Sequence, residues 1–350
     1  MADVNPALLT LIREYRGLSQ SDLAERTGFS QGYVSKVESH VLVPNSEAMG
    51  KFATALRWPP EFFYRPDRVY GFGTACMFHR KRASLPVHTL RSVQATVNIV
   101  RIGLAPLIRE VLIEGSNTFP VLDSDAYDGD AALVAQVLRG SWRLPLGPVD
   151  NLVQTLEAAG GIVYRVGFGT RLLDAVSHWA PDMPPLFFVN TEAPGDRVRF
   201  SLAHELGHVV MHAAPTRDME HEADVFASEF LMPGRDIGPS LADIDLPRAA
   251  QLKPYWKVSM AALILRARDL GFITPKRTSR LYMQMSSLGY RKVEPVPVAI
   301  EEPAVARKII DIHRKVHGYS LDDLVKLVGV PEEEFRAHHL TDRVKLRAVK

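Results

Sequence analysis

Residues 199–233 read RFSLAHELGHVVMHAAPTRDMEHEADVFASEFLMP, and the structure of the central part of the chain can be predicted from them. His204, Glu205 and His208 form the pattern H-E-x-x-H, which on a helix places both imidazoles on one face with the carboxylate beside them. Apolar residues at helical spacing around the pattern predict a buried helix. A second apolar helical pattern begins at Glu220 and ends before a proline, because proline cannot continue a helix.

These spacings favour a catalytic zinc site. Catalytic zinc commonly takes three protein ligands and keeps one position for water. His204 and His208 lie one helical turn apart, and Glu220 on the next helix completes the set. We therefore expect one zinc ion per chain, or another divalent metal in its place. Glu205 is not needed as a ligand and is placed to take a proton from metal-bound water, which makes it the expected catalytic base.

The second helix offers two further acids. Asp224 lies one turn beyond Glu220 and can accept a hydrogen bond from a ligand histidine. Glu222 is the competing third ligand, but only Glu220 leaves an acid one turn later to orient the histidine. His212, one turn beyond His208, is expected to be a packed or supporting histidine, because the ligand set is already full.

The stretch RFSLAHELGHVVMH, followed by E-x-E-A-D-x-F-A-x-x-F-L-M-P, resembles the ImmA/IrrE family of metallopeptidase-like proteins. The resemblance implies a zincin-type fold and cleavage of peptide bonds, often in a repressor protein. The family usually carries Asn where this chain has Asp224, and Asp preserves the hydrogen-bond acceptor.

Composition sets broad limits on the protein. The 350 residues, of which 46% are hydrophobic, suffice for two or three domains with sizeable cores. A net charge of +2 gives little global attraction to nucleic acid, so DNA binding must come from a local surface. The single cysteine, Cys76, excludes an internal disulfide and fits a reducing cytoplasm. Without a signal peptide or a run of membrane-spanning length, we expect a soluble cytoplasmic protein with no membrane contact.

Residues 1–66 carry a helix-turn-helix pattern. Ser19 is the expected N-cap of a short helix that begins at Gln20, and Ser30 is the expected N-cap of a second helix that begins at Gln31. A glycine-containing turn joins the two helices. Basic and acidic residues balance in this segment, which predicts weak nonspecific affinity for DNA and dependence on a homodimer.

The segment 19–56 is similar to the XRE family of DNA-binding domains, which are related to phage repressors. By position, the resemblance implies that Gln20 contacts phosphate and that Gln31, Tyr33 and Lys36 face the major groove of a double-stranded operator. Gln31 could pair with adenine, and Lys36 could contact guanine or phosphate. The expected DNA-binding set is Gln20, Ser30, Gln31, Tyr33 and Lys36. The alternative is a helical module that binds protein.

Residues 67–125 are predicted to form a basic connector. Its run Arg80-Lys81-Arg82 is either a solvated face or a source of additional phosphate contacts. Residues 88–113 have helical periodicity, which predicts a helix for dimerisation or for packing on the next domain.

Residues 126–236 are predicted to form the peptidase-like domain, with helices, then two strands at 162–166 and 186–190, then the metal helix. The stretch 174–190 is expected to provide an edge that grips an extended substrate. His178 is placed in a loop within it. That histidine either stabilises an oxyanion or is an ordinary loop residue.

Residues 237–350 are predicted to be helical. Residues 285–303 resemble an extended linker with several prolines, and 304–339 should form two or three helices. GYSLDDLVKLVGVPEEEF mimics a second helix-turn-helix with Ser320 as N-cap, although a protein-contact or regulatory role is favoured over a second DNA reader.

The complete prediction is an α+β protein: an all-α helix-turn-helix domain, a zincin-like metallopeptidase domain and a helical C-terminal region. Two functions fit it. The first is a DNA-binding transcription regulator with a zinc endopeptidase that cleaves a repressor or antitoxin, or the chain itself; that substrate class follows from the resemblance. The second is a non-proteolytic regulator whose metal-binding fold acts as a sensor or binds a partner. Glu205 favours the first, because a purely structural site gains nothing from a carboxylate outside the ligand set.

Overall fold

The computed structural model describes residues 3–71, 85–212 and 216–340, which are mostly helical around one small sheet, as the α+β prediction requires. The helices are α1 (Pro6–Tyr15), α2 (Gln20–Thr27), α3 (Gln31–Glu38), α4 (Ser46–Leu56), α5 (Val87–Ile108), α6 (Ala131–Ser141), α7 (Leu152–Ala158), α8 (Gly195–Met211), α9 (Met219–Leu231), α10 (Gly234–Leu241), α11 (Leu246–Trp256), α12 (Met260–Asp269), α13 (Pro275–Ser287), α14 (Val305–Lys315), α15 (Leu321–Val328) and α16 (Glu332–His339). The strands are β1 (Ile162–Val166), β2 (Ala175–His178) and β3 (Leu186–Asn190). In these three ranges, no helix is both long and apolar enough to cross a membrane.

The first four helices form the predicted helix-turn-helix fold. The Ser19 side chain accepts a hydrogen bond from the Asp22 amide, and the Asp22 side chain accepts one from the Ser19 amide, so α2 begins at a capping box. Gly28 ends α2 with φ of 73°, a left-handed conformation that favours glycine. The Ser30 side chain caps α3. The buried core of this unit includes Leu9, Leu23, Val34 and Phe52.

Helix α5 is buried along most of its length because it packs against α1 and also against α14 and α15. The helix predicted at 88–113 is therefore present, although it ends at Ile108, and it packs on the helix-turn-helix and the C-terminal helices. The basic run Arg80-Lys81-Arg82 and Cys76 lie outside the described residues.

The sheet has strand order β1-β3-β2, with β1 parallel and β2 antiparallel to the central β3. Ala175 pairs with Val189 and His178 with Leu186. The sequence predicted only two strands and placed His178 in a loop, which is wrong: residues 175–178 are an edge strand. All four of its residues are buried, so the strand lacks the alternation that marks a half-exposed strand.

Helices α8 and α9 pack closely where Gly207 faces Phe226. A Cβ at Gly207 would lie 3.1 Å from Phe226 Cδ1, so the absence of a side chain permits the contact. Helix α6 also packs on α9. The helix carrying H-E-x-x-H and the helix carrying Glu220 are thereby held face to face.

The remaining helices divide between two hydrophobic cores. Helices α10 to α13 share a core with α6 to α9, and the buried Lys253 of α11 donates to Asp196 at the start of α8 (2.6 Å) and to Glu294 (2.8 Å). Residues 288–303 contain no helix or strand, so the linker predicted at 285–303 begins three residues later, because α13 continues to Ser287. Three helices follow, as predicted. These three share the second core with α1 to α5 and the sheet, and a capping box at Ser320 begins α15.

Candidate metal centre and nucleic-acid interface

Three side chains from α8 and α9 converge on one point. The Nε2 atoms of His204 and His208 lie 3.0 Å apart, and the Glu220 carboxylate oxygens lie 3.6 Å from His204 Nε2 and 3.4 Å from His208 Nε2. A tetrahedral zinc ion with ligand distances of about 2.0–2.2 Å needs donor atoms roughly 3.3 Å apart. The observed separations match that requirement to within a few tenths of an ångström, so these residues fit a divalent metal.

The two histidine rings are oriented by further hydrogen-bonding groups. Asp224 Oδ1 lies 3.0 Å from His204 Nδ1, the place that the sequence assigned to it. His208 Nδ1 lies 2.9 Å from His212 Nδ1, and His212 Nε2 lies 2.8 Å from Glu222. Both predicted ligand histidines therefore have their Nδ1 engaged and their Nε2 directed to the shared point.

Glu222 contacts His212 and Ser124 rather than the Nε2 atoms of His204 and His208. One carboxylate oxygen contacts His212, and the other accepts a hydrogen bond from the Ser124 hydroxyl at 3.3 Å. Glu220, the alternative that the sequence analysis preferred, is the acid at the ligand point. Ser124 had no sequence signal, because it lies about a hundred residues from the helix that it supports.

The charges of the cluster favour a cation. Burial alone would lower the pKa of His204, but hydrogen bonds to Asp224 and Glu220 outweigh burial and raise this pKa to about 9. Burial would also raise the pKa of Glu220, but hydrogen bonds from His204 and His208 hold it far below its usual range. Positive charge is stabilised between the imidazoles, and a divalent metal supplies such charge in place of protons.

Glu205 is fully buried beside the ligand cluster and is held by the edge strand. Its Oε2 accepts hydrogen bonds from the Ser177 amide (2.8 Å) and the Ser177 hydroxyl (2.6 Å). Ser177 therefore positions the expected base, a role that sequence reasoning missed because a lone serine in a short strand carries no pattern.

His178 does not face the same side of β2 as Ser177. Successive residues of a strand point to opposite faces, and His178 instead contacts the Tyr70 ring, with centroids 5.2 Å apart. Its ring nitrogens have no hydrogen-bond partner among the described residues. Burial, and then the charge of Arg101, lowers its pKa to about 4. The alternative that His178 stabilises an oxyanion is therefore dropped.

The expected DNA-reading side chains lie along α2 and α3. Gln31 and Lys36 are exposed, and the Gln31 amide donates to Gln20 Oε1 at 2.8 Å. Gln20 in turn donates to Glu38 at 2.8 Å. These contacts hold the two glutamine side chains as a pair.

Ser30 and Tyr33 differ from the rest of that set. The Ser30 hydroxyl accepts a hydrogen bond from the Tyr33 amide at 3.2 Å, so it is engaged as the cap of α3. Tyr33 is half-buried, and its ring packs on Phe29 and Phe52 with centroids 4.6 and 6.4 Å away. Within the expected set, Ser30, Gln31 and Lys36 are exposed, whereas Gln20 and Tyr33 are half-buried.

Two parts of the chain match known protein families. Residues 7–61 match the helix-turn-helix domain, and residues 162–268 match the IrrE N-terminal-like domain, which begins at β1 and contains His204, His208 and Glu220. None of the curated proteins compared with the chain matches it. The domain boundaries at 66, 125 and 236 stay predictions. The chain thus joins a helix-turn-helix domain to an ImmA/IrrE-type domain.

Proposed function

We propose that the chain is a DNA-binding transcription regulator that carries a zinc-dependent endopeptidase, and that its substrate is a repressor or antitoxin protein or the chain itself. The observation that carries the proposal is the convergence of His204, His208 and Glu220 with a further acid, Glu205, outside the ligand set. The helix-turn-helix domain supports DNA as a partner, and the IrrE-type domain supports a protein substrate.

In the proposed reaction, each residue has one task. His204, His208 and Glu220 would hold the metal, which supplies Lewis acidity to a peptide carbonyl and to water. Glu205 would accept a proton from the attacking water and pass it to the leaving amine. Strand β2 lies at an edge of the sheet formed by the described residues, beside which an extended peptide could add as another strand, and Ser177 on that strand would position Glu205.

One observation favours the second candidate, a non-proteolytic regulator that uses the metal centre as a sensor. Glu205 is fully buried and accepts two hydrogen bonds from Ser177, so its Oε2 is already occupied. A general base must reach the attacking water, and a carboxylate whose Oε2 is held by Ser177 does so less readily.

A comparison of Glu205→Gln with His204→Ala separates the two candidates. For a peptidase, Glu205→Gln retains the metal but slows cleavage of candidate repressors by about 10²–10⁴-fold, whereas His204→Ala loses metal and activity together. His221→Ala, an exposed neighbour of Glu220, serves as control. Cleavage that persists in Glu205→Gln rejects the assigned base, and promoter regulation unchanged in both variants rejects a regulatory role for the metal centre.

A further inference from the structure

A second group of potential metal ligands lies away from the H-E-x-x-H motif. Glu110, His313 and His317 each bring one ligand atom to within 4.8 Å of the other two. Glu110 follows the C-terminal end of α5, His313 lies in the last turn of α14, and His317 lies two residues beyond the end of that helix. None of the three belongs to either matched domain.

The hydrogen bonding of His313 suits a metal ligand. It is fully buried, and its Nε2 lies 2.7 Å from the Leu107 carbonyl, to which it must donate. The neutral ring then carries a lone pair on Nδ1, and Nδ1 has no hydrogen-bond partner in the described ranges. A histidine that donates one ring N–H to a backbone carbonyl while offering the other nitrogen is typical of metal sites.

The other two ligands and the helix ends complete the arrangement. The His317 ring lies 5.4 Å from the His313 ring, and Tyr319 stacks on His313 at 5.6 Å and fixes its orientation. His317 and Glu110 are exposed, so ions from solution can reach them. The C-terminal ends of α5 and α14 both lie at this cluster, and the partial negative charge of a helix C-terminus favours a cation.

We propose that Glu110, His313 and His317 form a second site for a divalent transition metal of the zinc class. Two imidazoles and one carboxylate are ligands that zinc, cobalt and nickel accept. Three protein ligands, two of them exposed, leave coordination positions to solvent, so the metal exchanges with the medium. Bound metal would link the end of α14 to the end of α5, the helix that also packs on α1 of the helix-turn-helix domain. The site thus links metal supply to the attachment of the C-terminal helices.

Metal stoichiometry of the untagged full chain tests the proposal. After loading with Zn²⁺ and removal of free ion, elemental analysis should find about two zinc ions per wild-type chain and about one in His317→Ala, Glu110→Gln or both combined. His88→Ala, which removes another exposed histidine, should retain both ions. His204→Ala should lose the ion of the first centre and keep the second.

Thermal unfolding provides an independent readout. Zn²⁺ should still raise the Tm of His204→Ala, because ligand binding to the folded state stabilises it, and should no longer do so in His204→Ala/His317→Ala. A wild-type protein whose only zinc ion is lost in His204→Ala overturns the second site, as does a second ion that survives Glu110→Gln/His317→Ala. A wild-type protein that lacks the ion dependent on His204 but binds the ion dependent on His317 would count against the proposed peptidase centre and would support the second site.

Discussion

Among single residues, Asp224 is expected to set the metal affinity through His204. Its Oδ1 lies 3.0 Å from His204 Nδ1 and directs Nε2 to the ligand point. Loss of such a supporting acceptor typically weakens metal binding about 10–100-fold, so Asp224→Ala should do so in a competition titration with a chelator. Asp224→Asn keeps an acceptor and should lose less. Equal affinities for wild type and Asp224→Ala would show that the contact does not orient the ring.

His178 is expected to make the fold sensitive to acid. Because its folded pKa of about 4 lies below the ordinary value of 6.5, the unfolded chain binds a proton in this interval that the folded chain does not. The stability that neutral His178 provides is complete above pH 6.5 and is lost as the pH falls toward 4.

Urea denaturation at pH 7 and pH 4.5 measures this effect. In His178→Leu, the fall in the free energy of unfolding between these pH values should be smaller than in wild type by about 2–3 kcal/mol. The exposed His221→Leu is the matched control and should behave as wild type. An identical fall in wild type and His178→Leu would contradict the assigned pKa.

The site residues that the sequence could predict are those joined by local spacing. His204 and His208 share a helix face, and Asp224 follows Glu220 by one turn, so helical geometry alone brings each pair together. Ser177 and Ser124 could not be found in this way, because only the tertiary fold brings them to Glu205 and Glu222.

Among the elements, α3 carries the strongest prediction about DNA. Gln31 and Lys36 are its exposed polar side chains. If each contacts a base, Gln31→Ala and Lys36→Ala should each weaken operator binding by roughly 1–3 kcal/mol. If Lys36 contacts phosphate instead, Lys36→Ala should weaken all sequences alike and reduce the salt slope by about one. Lys326→Ala removes the same charge from α15 as control. Unchanged footprints for both variants would remove α3 from the interface.

The strand that sequence analysis missed shows why short buried elements are difficult to predict. Strand β2 has only four residues and is buried on both faces, so neither length nor alternation identifies it. Helix α15, in contrast, could be placed from Ser320, because a capping box is a local signal within four residues.

At the scale of the whole molecule, the helix-turn-helix domain is attached to the C-terminal helices. Arg16 of the first domain donates to Glu334 of α16 at 2.6 Å, and the Tyr15 hydroxyl donates to the same carboxylate. Residues more than three hundred positions apart make these contacts, so the sequence could predict three amphipathic helices in 304–339 but not the surface they cover.

The Glu334 contacts should contribute measurably to stability. Glu334→Ala leaves Arg16 and Tyr15 without their buried partner and should lower the free energy of unfolding by about 1–3 kcal/mol in urea denaturation. Glu333→Ala, at the adjacent exposed position, should change it little. Equal stabilities would mean that the first domain and α16 are not energetically coupled.

Peptide cleavage at the H-E-x-x-H centre can be measured by mapping new protein N-termini in cells that produce wild type or Glu205→Gln. At least one N-terminus, in a DNA-binding protein or in the chain itself, should form with wild type and be absent with Glu205→Gln, although both proteins carry the metal. The same set of N-termini in both cells would contradict this prediction.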